Sequence, residues 1–390
     1  MLIDQQDTEA FRLELRQWLA ANCPAEMRDG ARDETAACWG GRSWQFSSEA
    51  QKTWLERMIG QGLTTPTWPR EYGGGGLERA REKVFFEEMA AIGARLPLVS
   101  FGIWMLGPAL LKFGTDEQKR TYLPPIVRGE IRWCQGYSEP GAGSDLASVA
   151  TRAEDRGDHY LVNGQKIWTS YADKADWIFA LVRTDQEAPK HKGISFLLID
   201  MQTKGVSTRP IRLISGASVF CETFFDDVEV PKANVVGVVN QGWDIAKYLL
   251  THEREMISAG AAGLTGGRSI AQVLASQDSR LTDATLRARA LECEIDGLAF
   301  GLTLERYKDQ AAAGQAVGDA SAMLKYMGCE LNQRRHELLM GMAGMAALEW
   351  DGDHDSLPAD WLRSRANSIE GGTSEVMLGI IAKRVLGLPG

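Results

Sequence analysis

HYLVNGQKIWTS, residues 159–170, lies in the region from about residue 132 to 235, where the hydrophobic pattern of the chain changes from a helical period to the alternation of a β-strand. Its central Asn163-Gly164 favours the two positive φ angles of a type I′ turn, so we expect a β-hairpin here. More strand patterns follow without an intervening helix, in DWIFALVRT, GISFLLID, STRPIRLI and VFCETFFDDVEV. This succession predicts an antiparallel β-barrel or β-sandwich.

On both sides of this region the apolar residues recur at helical spacing. In AFRLELRQWLAANC, near the N-terminus, Phe11, Leu15, Trp18 and Leu19 fall on one face of a helix. The last part of the chain is rich in Ala and Gly, which is typical of closely packed helices. We therefore predict an α+β protein with an N-terminal helical domain (1–131), a middle antiparallel β-barrel or β-sandwich domain (132–235) and a C-terminal helical bundle (236–390).

The composition excludes several classes of function. The 390 residues include 43 Lys and Arg against 52 Asp and Glu, a net charge of −9, with no basic run that would suit nucleic acid or an anionic membrane surface. No stretch is long and apolar enough for a membrane span, and the acidic N-terminus lacks the pattern of a secretory signal. Six widely spaced cysteines and five histidines form no ligand pattern, so we expect reduced thiols, a cytoplasmic location and no metal site.

Two segments of the middle region are candidates for ligand contact. Residues 138–145 read SEPGAGSD, and their glycines and serines would let backbone N–H groups and hydroxyls approach a polar ligand; a tight turn without a ligand is the alternative. The segment is not a G-x-G-x-x-G fingerprint and no βαβ unit surrounds it, which disfavours a nicotinamide site. Residues 166–170 read KIWTS and combine a flat ring with hydroxyls, as suits an aromatic cofactor, although a core tryptophan is an equal alternative.

Two segments of the C-terminal region also stand out. Glu253 lies at helical spacing from Leu249, Leu250, Met256 and Ile257, an apolar face on which burial would raise the pKa of a carboxyl toward that of a general base. An ion pair across the bundle is the alternative. Residues 370–375 read EGGTSE, where paired glycines permit close approach of a ligand and Thr373 or Ser374 caps the last helix; a plain glycine-rich connection is the alternative.

Together these segments resemble the acyl-CoA dehydrogenase family. SEPGAGSDL, NGQKIWTS, PKANVVG and SIEGGTSEV…IIAKRVLGLP match in order over nearly the whole chain. The resemblance implies a helix–barrel–helix fold and α,β-dehydrogenation of an acyl-CoA thioester by FAD. In general pattern the chain is similar to the larger subunits of bacterial two-gene dehydrogenases, which act on dicarboxylyl, alicyclic or steroid-derived CoA thioesters in lipid catabolism.

The resemblance also implies where ligands bind. It assigns FAD contacts to residues of the same segments, namely Gln135, Gly136, Tyr137, Ser138, Ser144, Trp168, Thr169, Ser170, Thr373, Ser374 and Glu375. The acyl-CoA would be bordered by Ser144, Thr251 and Arg254.

The position of the catalytic base needs a residue-by-residue comparison. Many family members carry a glutamate directly before Gly-Thr-Ser, where this chain has Gly371, while Glu370 is one residue early. A second group places the base on the first helix after the barrel, directly before an arginine, which here is Glu253. The resemblance thus implies that Glu253 takes the α proton, that flavin N5 accepts the β hydride, and that the Gly371 N–H polarises the thioester carbonyl.

Two departures from the family pattern concern assembly. The Arg-x-x-Phe-Gly turn is missing, and the usual glutamine before a Gly-Gly turn is Glu337; both normally reach FAD in a neighbouring subunit. We therefore expect a tetramer in which a second chain supplies the missing groups, with a homotetramer using Arg287 or Arg289 as the alternative. Electron-transferring flavoprotein is the expected acceptor. A catalytically silent partner subunit, and less so an acyl-CoA oxidase, remain alternatives to the dehydrogenase.

Overall fold

The structure is a computed structural model that describes residues 4, 7–28, 37–250, 270, 283–313, 315, 321–350 and 356–389. The chain divides into two compact units, Met1–Ile211 with Phe220–Leu249, and Arg212–Val219 with Leu250–Gly390. Among the helices of the described residues, none is long and apolar enough to cross a membrane.

The first unit begins with helices α1 (Thr8–Asn22), α2 (Glu49–Gly60), α3 (Arg79–Ala91), α4 (Gly107–Phe113) and α5 (Asp116–Val127). The expected face of α1 is confirmed, because Phe11, Leu15 and Leu19 are fully buried and Trp18 packs beside them. A π-helical turn, Gly102–Leu106, precedes α4.

The described residues of the first unit also form a mixed sheet of eight strands. They are β1 (Trp133–Gly136), β2 (Arg152–Asp155), β3 (His159–Ser170), β4 (Trp177–Arg183), β5 (Ile194–Asp200), β6 (Val206–Ile211), β7 (Phe220–Pro231) and β8 (Val235–Val236). Their order is β6-β7-β3-β2-β4-β5-β8, with β1 beside β4. The pairings are antiparallel, as expected, except that β1 and β2 run parallel to β4.

The predicted hairpin at Asn163-Gly164 is wrong, because His159–Ser170 forms a single strand. The pairing of β3 with β7 continues through this point with a register shift between Val162 and Gly164. The side-chain Nδ2 of Asn163 donates to the Asp227 carboxylate at 2.9 Å, and the side-chain Oδ1 of Asn163 accepts the Asp227 backbone N–H at 2.9 Å. These two bonds hold the bulge at this register shift against β7. A Cβ on Gly164 would lie 2.6 Å from the Thr151 hydroxyl, so the glycine serves a close approach within the sheet rather than a turn.

A buried ion pair joins β3 to the segment that follows β1. The Lys166 side chain is fully buried, and its Nζ donates to Glu139 Oε1 at 2.7 Å and to the Tyr137 carbonyl at 3.1 Å. The Glu139 carboxylate also accepts the N–H groups of Ala150 at 2.7 Å and Thr151 at 2.9 Å. Because both charges are satisfied inside the fold, the position of residues 137–151 is fixed relative to β3.

The environment shifts the pKa values of both partners. Burial lowers the pKa of the Lys166 ammonium to about 8, although Glu139 opposes this shift. For Glu139, burial acts to raise the pKa, but the Lys166 charge and the hydrogen bonds from Lys166, Thr151 and Ala150 together hold it below the ordinary 4.5.

Besides shorter 3-10 and π-helical turns, the second unit contains four α-helices in its described residues, which are Ala284–Ala312, Ser321–Ala343, Leu357–Ser364 and Ser374–Ile380. Phe300 and Leu304 of the first of these pack against Leu324 and Leu331 of the second. The expected helical character of this region is confirmed.

We predict that Glu139→Gln lowers the free energy of unfolding near neutral pH by about 3 kcal/mol, because the buried Lys166 ammonium loses its counter-charge. The loss should shrink in acid. The folded-state pKa of Glu139 lies below the unfolded value of 4.5, so its stabilisation is complete above that pH and is lost as the pH falls through the folded-state pKa. Urea unfolding at neutral pH and near pH 4 measures both effects.

Glu154→Gln is the matched control. Glu154 lies on the adjacent strand β2 and pairs with Arg156 at 3.1 Å, but 40% of its side chain is exposed, so the change in stability should be small. Equal losses in the two variants, or a Glu139→Gln deficit that grows toward acid, would contradict the prediction.

Candidate functional site

The end of β1 and the loop after it carry five of the predicted ligand-contacting residues: Gln135 and Gly136 in the strand, and Tyr137, Ser138 and Ser144 in the loop. Gly136 lies against β4, where a Cβ would come within 2.6 Å of Ile178. Tyr137 is buried, with its ring perpendicular to Phe179 at 6.2 Å between centroids. The start of the loop is therefore packed into the core, and the next residues carry the accessible surface.

Residues 139–142 make the tight turn that the sequence left open as an alternative. Glu139 N–H donates to the Ala142 carbonyl, and Ala142 N–H donates to the Glu139 carbonyl, each at 3.0 Å. A Cβ built on Gly141 or Gly143 would meet no atom within 4 Å, and Ser144 is exposed. The turn thus has a buried side held by Lys166 and an open side that a ligand can approach.

Trp168 is the most distinctive residue of this unit. It lies where the register between β3 and β7 shifts, has a positive φ of 60°, and is 53% exposed, with its ring edge-on to Phe220 at 6.1 Å. This exposure excludes the core-tryptophan alternative. A left-handed backbone on a bulky residue is strained, and such strain persists mainly at ligand sites.

The residues beside Trp168 are placed differently from one another. Thr169 is fully buried, and its hydroxyl has no hydrogen-bond partner among the described residues. Ser170 is half-buried. Ile167 N–H donates to the Ser138 carbonyl at 2.9 Å, so this end of β3 and the loop after β1 form one connected surface within the first unit.

In the second unit, the Gly371-Gly372 pair forms a turn with φ angles of +63° and +100°. Thr373 then caps the last helix by accepting the Val376 N–H at 3.2 Å, as one of the two capping options predicted. Ser374 is buried, with its hydroxyl 3.5 Å from the Glu330 carboxylate. Glu375 is exposed, and hydrogen bonds from its own N–H and the Thr373 hydroxyl lower the pKa of its carboxyl.

Glu370 is held in an ion pair. Its carboxylate accepts two hydrogen bonds from Arg363, at 2.8 and 3.2 Å, and a third from the Asn367 amide at 2.6 Å. These three hydrogen bonds occupy the carboxylate oxygens and hold the side chain in a fixed place beside Arg363 and Asn367.

The proposed base and its neighbours, Thr251, Glu253 and Arg254, lie outside the described residues. The described helical segment 242–250 leads directly to them, and Leu249 in that segment is fully buried.

The residues implicated in assembly are exposed or partly exposed. Glu337 pairs with Arg365 at 2.8 Å, so its negative charge is partly compensated within the same chain. The two candidate substitutes, Arg287 and Arg289, are both exposed.

Sequence reasoning missed two buried lysines that hold these loops. Lys166 and Glu139 lie within the segments KIWTS and SEPGAGSD noted above. The sequence signal for the burial of Lys166 was that this charged residue occupies a position of the β3 pattern that faces the core. Lys325 is also fully buried, and nothing in its helix pattern marked it, because charged residues are frequent along that stretch.

Known proteins match this chain throughout. Three domain families match in order: the acyl-CoA dehydrogenase N-terminal domain at residues 5–130, the middle domain at 134–228 and the C-terminal domain at 240–386. The acyl-CoA dehydrogenase IpdE1 of Mycobacterium tuberculosis is 38% identical over 393 residues, covering 98% of each chain.

Solved structures of acyl-CoA dehydrogenases are also similar to this chain over nearly its whole length. The Tcur3481-Tcur3483 steroid acyl-CoA dehydrogenase has a TM-score of 0.80 and 31% identity, over 98% of this chain and 97% of the other. The ChsE4-ChsE5 complex from Mycobacterium tuberculosis has a TM-score of 0.74 and 30% identity, over 99% and 98%. With three matching domains, full-length relatives and the same succession of helices, sheet and helices, this chain belongs to the acyl-CoA dehydrogenase family, whose members are oxidoreductases that generally use FAD.

Proposed function

We propose that the chain dehydrogenates the CoA thioester of a steroid-derived acid between its α and β carbons, with FAD as the bound cofactor. The observation that carries this proposal is the surface formed by the open turn at residues 139–144 and the exposed, strained Trp168, locked together through Lys166. The steroid class is supported by the steroid acyl-CoA dehydrogenase among the structural relatives.

The residues present fit a flavin. An exposed indole offers a flat face, the loop glycines leave room for close approach, and the half-buried Ser170 and exposed Ser144 add hydroxyls. We propose that this surface receives the flavin ring, with further contacts from Gln135 to Ser138 and from Thr373 to Glu375. When bound, FAD would supply the hydride acceptor.

The chain's own residues would handle the proton and the charge. Glu253 would take the α proton, leaving negative charge on the thioester oxygen. The Gly371 N–H would donate to that oxygen, and the positive φ of Gly371 is consistent with a turn shaped for a ligand. Thr251, Arg254 and Ser144 would border the CoA arm.

Anaerobic titration tests this function. Purified protein should show a flavin spectrum that bleaches with cholyl-CoA, a steroid-derived thioester, and less readily with octanoyl-CoA. Absence of bleaching with every acyl-CoA would indicate a silent partner subunit, whereas rapid reoxidation by dioxygen rather than by electron-transferring flavoprotein would indicate an oxidase.

The first prediction on the site concerns the base. Glu253→Gln should retain FAD and acyl-CoA yet lower kcat by about 10²-fold or more, because general-base catalysis is lost. Glu370→Gln is the control, since that carboxylate is already occupied by Arg363 and Asn367 and should leave kcat almost unchanged. An inactive Glu370→Gln beside an active Glu253→Gln would reverse the assignment.

The second prediction concerns the flavin surface. Trp168→Ala and Ser170→Ala should lower FAD occupancy or shift the flavin absorption, because they remove the flat face and a hydroxyl at the proposed ring site. Phe86→Ala, which removes a 44% exposed ring from α3, should change neither. Normal occupancy and spectra in both site variants would refute the placement.

The third prediction concerns assembly. One face of the helix Ala284–Ala312 carries apolar side chains that are each more than half exposed, namely Leu291, Ile295, Leu298 and Leu302. In addition, the two structural relatives described above are two-component assemblies. We propose an α₂β₂ tetramer in which a second dehydrogenase-like chain completes the FAD site. Native mass spectrometry and flavin analysis of the chain expressed alone should therefore show incomplete FAD loading. A homotetramer with one FAD per chain and full activity would disprove the heteromer.

A further inference from the structure

Lys325 combines complete burial with neutral partners. It lies on the helix Ser321–Ala343 with a fully buried side chain. Its Nζ donates to the Asn367 carbonyl at 2.9 Å and to the Gly372 carbonyl at 2.5 Å. Among the described residues, no carboxylate lies within ion-pair distance of this ammonium, so the buried charge is held by backbone dipoles. Burying a cation in this way is costly unless hydrogen bonds offset the lost solvation.

A third close neighbour of the ammonium, a thiol, is also neutral. Cys329, one helical turn later, is fully buried, and burial raises the pKa of its thiol to about 11 even though the Lys325 charge and hydrogen bond oppose the shift. The thiol therefore stays protonated at neutral pH. Among the described residues, the Lys325 ammonium is therefore hydrogen-bonded only to neutral groups. Its charge acts on the turn to which it is bonded and on the Glu375 carboxyl, whose pKa it helps to lower.

The two carbonyls bound by Lys325 bracket a single turn. Residues 368–371 lie between Asn367 and Gly372, so the ammonium ties both flanks of the segment that contains the Gly371 N–H. Gly371 and Gly372 have positive φ angles, and glycine makes alternative backbone conformations easily accessible. A tether at both ends restricts that freedom where geometry matters for an oxyanion donor.

We propose that Lys325 is a positioning residue of the dehydrogenase reaction. Through Asn367 and Gly372 it fixes the turn so that the Gly371 N–H meets the thioester oxygen, and its buried charge favours the negative charge that develops there. The inference rests on the proposed function, and it extends that function to a residue distant in sequence from the motifs that suggested it. Lys325 acts through Gly371 and exchanges no proton with the substrate.

The test uses the FAD-loaded protein and an isotope-edited infrared measurement. The probe is the 2,3-unsaturated product of the acyl-CoA that bleaches the wild-type flavin fastest, labelled with ¹³C at the thioester carbonyl. Binding to the wild type should move the carbonyl stretch to lower wavenumber than in water. Lys325→Met should lose most of this shift and lower kcat about 10-fold to 100-fold, less than the ~10²–10³-fold expected for loss of a direct donor, with KM changed less than about threefold.

Two further variants make the result decisive. Lys325→Gln keeps hydrogen-bond donors without the charge and should give an intermediate carbonyl shift. Lys308→Met removes a partly exposed lysine on the neighbouring helix Ala284–Ala312, where it pairs with Glu305 one turn earlier. Its carbonyl shift and kcat should match those of the wild type.

The possible outcomes distinguish failure of the proposed function from failure of the inference about Lys325. Wild-type protein that no acyl-CoA bleaches would overturn the proposed function and this inference with it. A wild-type carbonyl shift in active Lys325→Met would overturn the inference alone. If neither Lys325→Met nor Lys325→Gln folds to a cooperative native state, Lys325 serves stability only and the inference is equally overturned.

Discussion

The buried ion pair between Lys166 and Glu139 is the constraint on which the first unit's candidate site depends. Removing two charges from water costs several kcal/mol per ion, and only a short contact with additional hydrogen bonds offsets that cost. Here the contact is 2.7 Å, and the carboxylate accepts two backbone N–H groups besides. The geometry that satisfies these charges also decides where the loop after β1 lies relative to the end of β3.

This constraint explains why a strained residue persists next to it. Lys166 is anchored in the core, while two positions later Trp168 adopts a left-handed backbone and turns its ring outward. The register shift between Lys166 and Thr169 lets the strand resume its pairing with β7 after this interruption. Strain at Trp168 is thus sustained by Lys166 on one side and by the pairing of Thr169 with β7 on the other, as in ligand sites whose side chains are held ready before binding.

The second unit also contains a buried lysine that holds a loop, but its hydrogen-bond acceptors differ. Lys325 also buries its ammonium beneath a glycine-containing turn, but its acceptors are the carbonyls of Asn367 and Gly372 rather than a carboxylate. The carboxylate closest in sequence to that turn, Glu370, is bound to Arg363 and Asn367. Glu370 is thus compensated by Arg363, whereas the Lys325 ammonium has only neutral hydrogen-bond acceptors among the described residues, which suits a turn that receives developing negative charge.

The sequence by itself determined the order of helices and strands, the apolar face of α1 and the start of the last helix at Thr373 or Ser374, because these depend on neighbours within a few residues. It also located the loops that carry the candidate site, through their glycines and hydroxyls. The hairpin predicted from Asn163-Gly164 was wrong, because whether such a pair forms a turn or a bulge depends on its pairing with β7, which is distant in sequence. Only the tertiary structure decided that Trp168 is exposed and that Lys166 and Lys325 are buried. Burial is a property of everything packed around a side chain, and the local pattern records only part of those surroundings.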